Sequence, residues 1–255
     1  MNKLWSLVGI SLGSFITLLS LSMVNAILPY IQRDFITKLD ELLWVMNIFI
    51  FFVCISIVPL HRIATSCGRK KVYLFGIILF AIASIGSFFS PTIECLLVFR
   101  AVQGIATGAI IPCVIFLLYE IFPDEKERHR SICIWMLLSF IGLSLGSILG
   151  GVVVTYFSWR VAFLINIVMS IITYIICFCG MRKMEDIKTP VKSDWVGFVF
   201  LSLALSCLMV SIVQGESWGW SSMHIHLLFI SSFLLLVIYY YIERKVANPI
   251  ISFSF

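Results

Sequence analysis

The chain has 255 residues, of which 61% are hydrophobic and only 12% are charged. An ordinary soluble domain carries roughly 25% charged residues, so this composition excludes a soluble globular protein and indicates a polytopic membrane protein. The net charge of +5 does not indicate nucleic-acid binding, because the basic residues are dispersed among short polar segments.

The eight cysteines indicate neither a disulfide framework nor a metal site. Most of them lie within apolar runs, where cysteine is usually a small buried hydrophobe. No CxxC pair occurs, and Cys177 and Cys179 are two positions apart, which points their thiols to different faces of a helix. We therefore predict no metal and no other cofactor.

Eight apolar runs approach the length of about 20 residues that a helix needs to cross a membrane. The first run is too long for the hydrophobic region of a signal peptide and leads directly into further spans, so we interpret it as a retained helix. The sequence thus predicts an all-α protein with eight transmembrane helices. In chain order the runs are 5–28, 41–60, 72–90, 95–119, 131–156, 161–181, 195–214 and 227–242.

The distribution of basic residues predicts the orientation. If the first helix starts in the cytoplasm, 14 of the 18 lysines and arginines fall in cytoplasmic segments, and only Arg33, Lys38 and Arg160 fall on the other side. Cytoplasmic loops of membrane proteins carry this excess of positive charge. We therefore expect a multi-pass protein of the cell membrane with both ends of the chain in the cytoplasm.

The longest polar stretch, 182–194, predicts a boundary along the chain. It contains Pro190 and separates six apolar runs from a trailing pair. We therefore divide the chain into a six-helix unit over 1–184 and a second segment over 185–255, which comprises a cytoplasmic linker and two transmembrane helices.

The fourth run carries one arginine, Arg100, inside an otherwise apolar helix. Arginine near the middle of a membrane helix costs about 2.5–3.5 kcal/mol on insertion scales. Each of the thirteen Leu, Ile, Val and Phe residues of 94–119 returns about 0.3–0.6 kcal/mol, so the helix inserts with its arginine in place. An ionisable side chain in such a helix indicates function, and we expect it to face other helices or water.

Seven short motifs follow one another along the chain. They are SMVNAILP at 22–29, CGRKK at 67–71, RAVQG at 100–104, GLSLGSILGG at 142–151, SWRVAFLIN at 158–166, DWVG at 194–197 and ERKVANPI at 243–250. Their order and spacing resemble those of the major facilitator superfamily, and most closely its fourteen-helix drug:proton antiporter branch. The resemblance covers essentially the whole chain.

The resemblance implies an N-terminal six-helix bundle built as a 3+3 inverted repeat, followed by two extra transmembrane helices. It also implies three groups of site residues. The transport cavity or its gate would include Arg100, Gln103, Gly104, Ser20 and Asn25. The cytoplasmic gate loop would include Gly68, Arg69 and Lys70. The fifth helix would pack closely through Gly142, Gly146, Gly150 and Gly151, the first three of which share one face by their four-residue spacing.

Several positions depart from the family pattern. Ser20 stands at the position of an aspartate in the first helix, Thr65 at the aspartate of the loop motif, and Ser147 at the proline of the fifth helix. No acidic residue falls near the middle of a predicted span. We therefore predict that Arg100 is satisfied by Ser20, Asn25, Gln103 or water, and not by a carboxylate.

The resemblance implies secondary active export of small molecules by alternating access, with protons as a candidate coupling partner. The family's second six-helix half does not follow in this sequence, so we expect the chain to represent an N-terminal portion that works with a missing half or a second chain. A truncated, non-transporting remnant is the alternative. A membrane-embedded enzyme is a third reading, for which no nucleophile–base pair or phosphate loop is found, and no catalytic residue is predicted.

Overall fold

The computed structural model describes residues 3–182, 184, 186 and 195–244 of the chain. Most of the predicted linker lies outside the described residues, as do the first residue of the motif at 194–197 and the larger part of the motif at 243–250. Four of the lysines counted for the orientation, at 183, 188, 192 and 245, also lie outside them.

Helices account for nearly all of the described residues. Because lipid offers no hydrogen-bonding partners, a spanning segment must satisfy its backbone N–H and C=O groups internally, as a helix does. The helices are α1 Lys3–Phe35, α2 Leu39–Cys67, α3 Arg69–Phe88, α4 Ile93–Ile121, α5 Glu125–Tyr156, α6 Val161–Gly180, α7 Trp195–Val213, α8 Gly215–Trp218 and α9 Met223–Glu243.

Eight of these helices are long and apolar enough to cross a membrane, and α8 is a single short turn between α7 and α9. The chain is therefore a multi-pass membrane protein, as predicted. Several helices extend beyond their apolar runs. Pro29 lies inside α1 and does not end it, since the helix continues to Phe35. α5 begins at Glu125, so the mixed-charge link before the fifth run is mostly helical.

Side chains at the helix starts explain where several helices begin. Thr92 accepts a hydrogen bond from the Cys95 N–H at the start of α4, and Asp124 accepts one from the Glu127 N–H at the start of α5. Such N-caps satisfy backbone donors that have no partner within the helix. Only residues 122–124 lie between α4 and α5.

The two most buried helices, α1 and α4, hold the bundle together. α1 packs along α5 and α6, α4 packs along α2 and α3, and α3 also contacts α6. The first and fourth helices thus occupy equivalent places, as a 3+3 inverted repeat requires. α7 packs against α9 and touches α2. The predicted fold class, a six-helix bundle with two additional transmembrane helices, is confirmed.

Candidate functional site

Arg100 is completely buried between α2 and α4. Its Nε donates to the carbonyl oxygen of Val45 at 3.1 Å, and its Nη1 donates to Oε1 of Gln103 at 2.8 Å. The guanidinium carbon lies 4.4 Å from the centre of the Phe49 ring, within the range of a cation–π interaction. Within the described part of the chain, no carboxylate forms a salt bridge with Arg100.

Gln103 extends this network to a third helix. Its Nε2 donates to Oγ of Ser84 on α3 at 2.8 Å, and the Ser84 hydroxyl donates to the carbonyl oxygen of Phe80 at 2.7 Å. Gln103 and Ser84 are fully buried. The Arg100–Gln103 network therefore fastens α2, α4 and α3 to one another by neutral acceptors alone.

Gly104 allows α2 to approach α4 one turn after Arg100. A Cβ atom at this position would lie 2.4 Å from the carbonyl oxygen of Phe49. Gly108 repeats the arrangement, since a Cβ there would lie 2.0 Å from Oγ of Ser56. The two glycines and Arg100 share one helix face, and this face sets the close α2–α4 contact on which the Arg100–Val45 hydrogen bond depends.

Ser20 and Asn25 do not join this network. Ser20 is fully buried between α1 and α6, where its hydroxyl accepts a hydrogen bond from Nδ2 of Asn166 at 2.9 Å. Asn25 is exposed on α1. Of the three side chains predicted as partners of Arg100, only Gln103 is therefore confirmed. Asn166 was missed as a site residue, although it closes the motif at 158–166.

Three of the four glycines of α5 contact α1 in a regular register. A Cβ at Gly142 would lie 2.6 Å from the Phe15 carbonyl oxygen, at Gly146 2.4 Å from that of Leu19, and at Gly150 2.8 Å from that of Met23. Each successive turn of α5 thus rests on the carbonyl oxygen one turn further along α1. The surface formed by Gly142, Gly146 and Gly150 is called the glycine face below.

Gly151 does not belong to the glycine face, because a Cβ at this position would meet no atom within 4 Å. Ser147, which stands at the family's proline position, adds a polar contact beside the glycine face. Its hydroxyl lies 2.6 Å from that of Ser22 on α1.

The predicted gate residues lie at a short junction: Gly68 alone separates α2 from α3, and Arg69 and Lys70 are the first residues of α3. These three residues are called the α2–α3 loop. Arg69 forms an ion pair with Glu120 at the end of α4, and its guanidinium carbon lies 4.5 Å from the ring centre of Phe116. Lys70 Nζ donates to the carbonyl oxygen of Met184 at 3.2 Å. The loop is thus tied both to α4 and to the segment after α6.

Glu120 and Met184 were not predicted as parts of this site. Glu120 ends the fourth apolar run, and a carboxylate at such a helix end is a plausible partner for a neighbouring basic loop. The carbonyl group of Met184 carries no sequence signal, since every residue has one.

The opposite end of the bundle contains a second polar cluster, which the sequence did not reveal. Oδ2 of Asp34 on α1 accepts hydrogen bonds from Nε1 of Trp159 at 2.9 Å and from Nη1 of Arg160 at 2.6 Å. Arg160 Nη2 also donates to the carbonyl oxygen of Ser90 at 3.4 Å. The end of α1 and two loops are thereby joined.

This architecture is the fold of a multi-pass membrane transporter. A crystal structure of the peptide transporter POT in complex with sulfate superimposes with a TM-score of 0.70 at 16% sequence identity, covering 95% of this chain and 53% of that chain. Residues 10–244 match the model of the Major Facilitator Superfamily, and the chain belongs to this superfamily. The resemblance inferred from the motifs is confirmed.

Similar proteins include multidrug resistance proteins. The chain is 28% identical to "Multidrug resistance protein Stp" of Mycobacterium tuberculosis, over 99% of the chain and 47% of the relative. It is 30% identical to "Multidrug resistance protein 3" of Bacillus subtilis, over 95% and 48%, and 30% identical to "Probable multidrug resistance protein EmrY" of Escherichia coli, over 99% and 50%. The chain spans about half the length of these relatives.

Proposed function

We propose that the chain forms the N-terminal part of an exporter of small amphipathic or cationic molecules that works by alternating access in the cell membrane. The observation that carries this proposal is the similarity to multidrug resistance proteins along nearly the whole chain. The basic segments support an orientation with both ends of the chain in the cytoplasm.

Arg100 and Gln103 act on the transport pathway as a gate that holds three helices in place. Their network connects α2, α4 and α3, and Gly104 permits the close helix contact beside it. A buried cation without a paired carboxylate binds each acceptor less firmly than a closed ion pair would. This arrangement lets α2 shift against α4 when the transporter changes conformation.

Asn25 lines the transport cavity. It is exposed on α1, and on the neighbouring helix α5 Ser144 and Ser147 are exposed as well. Polar groups at membrane depth are costly when they face lipid and therefore face protein or a water-filled cavity. We assign this face to the substrate pathway, which a second set of helices, in the same chain or in a partner, completes from the other side.

Ser20 stands at the position of an aspartate in the family's first helix, a candidate for proton or cation chemistry there, and its hydrogen-bond partner is Asn166. Both groups are neutral and their hydrogen bond is buried. If protons drive export, another residue carries them, because neither side chain changes charge at physiological pH.

Uptake of ethidium by everted membrane vesicles tests the proposal. The vesicles come from cells that express the complete gene product, and uptake follows an imposed pH gradient. We expect the product to accumulate the dye and Arg100→Met to lose most of the uptake, while Gly151→Ala, a change in open space, retains it. Equal uptake by Arg100→Met and the unchanged protein would refute the assignment of Arg100.

A further inference from the structure

The start of α3 has no capping side chain of its own. Gly68 is the residue before the helix, and it adopts a φ of 114°, a conformation that glycine adopts readily and other residues avoid. The first backbone N–H groups of a helix lack partners within it and are usually satisfied by Ser, Thr, Asp or Asn at this position. Gly68 cannot supply such a group.

Asp186 supplies the missing acceptor from a distant part of the chain. Its Oδ1 accepts the backbone N–H of Lys70, the second residue of α3, at 3.0 Å. The two residues are 116 positions apart. A carboxylate at this place also interacts favourably with the positive end of the helix dipole. Asp186 thus caps α3 as Asp124, the residue directly before α5, caps α5.

The glycine and the distant carboxylate depend on each other. A Cβ atom at Gly68 would lie 2.5 Å from Cγ of Asp186, so any other residue at this position would displace the carboxylate. Thr65, at the family's aspartate position, does not replace it, because its hydroxyl donates to the carbonyl oxygen of His61 in its own helix at 3.0 Å. Asp186, which lies outside the loop, therefore supplies the carboxylate that caps α3.

We propose that Asp186 is a positioning residue of the α2–α3 loop: it caps α3 and thereby takes part in the gate. Together with the hydrogen bond from Lys70 Nζ to Met184, its contact with the Lys70 N–H holds the loop in place. Loss of the Asp186 contact would release the loop. The capping stands on the geometry alone, whereas the role in gating rests on the proposed transport function.

The exposed thiol of Cys67, directly before Gly68, reports on the loop. In a background where the other exposed cysteines are replaced by serine (Cys54, Cys133 and Cys179), the rate of maleimide labelling of Cys67 is measured in the full chain. We expect Asp186→Ala to raise the hydrogen-exchange rate of the Lys70 amide about fivefold, which corresponds to the loss of about 1 kcal/mol for an N-cap. The rate of Cys67 labelling should rise as well, because the released loop moves more freely.

Asp124→Ala is the matched control, because it removes an equivalent capping carboxylate from α5. It should leave Cys67 labelling and Lys70 exchange unchanged. Gly68→Ala combined with Asp186→Ala forms a double-mutant cycle. Since Gly68→Ala already displaces the carboxylate, adding Asp186→Ala to it should raise the labelling rate by less than twofold.

Unchanged Cys67 labelling and Lys70 exchange in Asp186→Ala would overturn the capping. It would also be overturned if the labelling rate of the double variant rose by the product of the factors measured for Gly68→Ala and Asp186→Ala alone. The gating role has its own test in dye uptake by the complete gene product. Asp186→Ala should alter the uptake and Asp124→Ala should not. Raised labelling with unaltered uptake would overturn the gating role alone, and the capping result stands even if no protein takes up dye.

Discussion

The close contact at the glycine face of α5 allows a quantitative prediction of how Gly146→Ala changes the free energy of unfolding. The added Cβ would lie 2.4 Å from the carbonyl oxygen of Leu19 and 2.8 Å from Cβ of Ser22. Comfortable contacts between heavy atoms lie at about 3.5 Å, so α1 and α5 must separate by roughly 1 Å. Overpacking of this kind costs about 1–3 kcal/mol, and we expect the free energy of unfolding to fall by that amount.

Gly151→Ala is the control for this prediction, because the same change five positions along α5 meets no atom within 4 Å. Any gain in helix propensity is common to both variants, so the difference between them isolates the α1–α5 contact. Unfolding in mixed micelles, followed by tryptophan fluorescence, measures both. Unfolding free energies of the two variants that agree within about 0.5 kcal/mol would refute the register described here.

Two further predictions concern the buried polar clusters. Arg100→Met should leave the free energy of unfolding unchanged or raise it, because an apolar side chain of similar length replaces a buried charge to which the described residues supply no carboxylate partner. Arg100→Ala should lower it by about 2 kcal/mol or more through the cavity it creates, and a destabilisation by Met as large as that by Ala would contradict this. At the other end, Trp159→Ala should cost about 3–5 kcal/mol, since the residue is only 4% exposed. Arg160→Ala should cost under about 1 kcal/mol, since its ion pair with Asp34 is partly exposed, and the reverse order in the same unfolding assay would show that the ion pair dominates.

Contacts within one helix could be predicted from the sequence. Arg100 and Gln103 are three positions apart and therefore neighbours on one helix face, so their hydrogen bond follows from the sequence. The four-residue spacing likewise placed Gly142, Gly146 and Gly150 together. Gly151, one residue on, is rotated by about 100° and points elsewhere. These results depend only on the period of the helix.

Contacts between helices could not be predicted in this way. The acceptor of Arg100 Nε is a carbonyl group of Val45, and the choice among many identical carbonyl groups depends on how α2 and α4 align. Asp186 was missed for a related reason. It lies in a polar stretch without periodicity, and only the packed structure places its carboxylate beside the start of α3.

The helix ends show a further limit of the pattern. Hydropathy reports the part of a helix that lies in lipid, whereas α1 has 33 residues and is therefore about 50 Å long, well over the roughly 30 Å of the hydrocarbon core. The apolar run ended near Pro29, but a proline interrupts only one backbone hydrogen bond, and the residues after it continue the helix to Phe35.

Ethidium uptake by everted vesicles measures the proposed export of small molecules by the complete gene product. We predict that vesicles carrying the complete gene product accumulate the dye against its gradient and that vesicles from cells without the gene do not. Collapse of the pH gradient with nigericin then shows whether protons are the coupling ion. Equal accumulation with and without the gene product, for ethidium and for a panel of amphipathic cationic dyes, would contradict the proposed function.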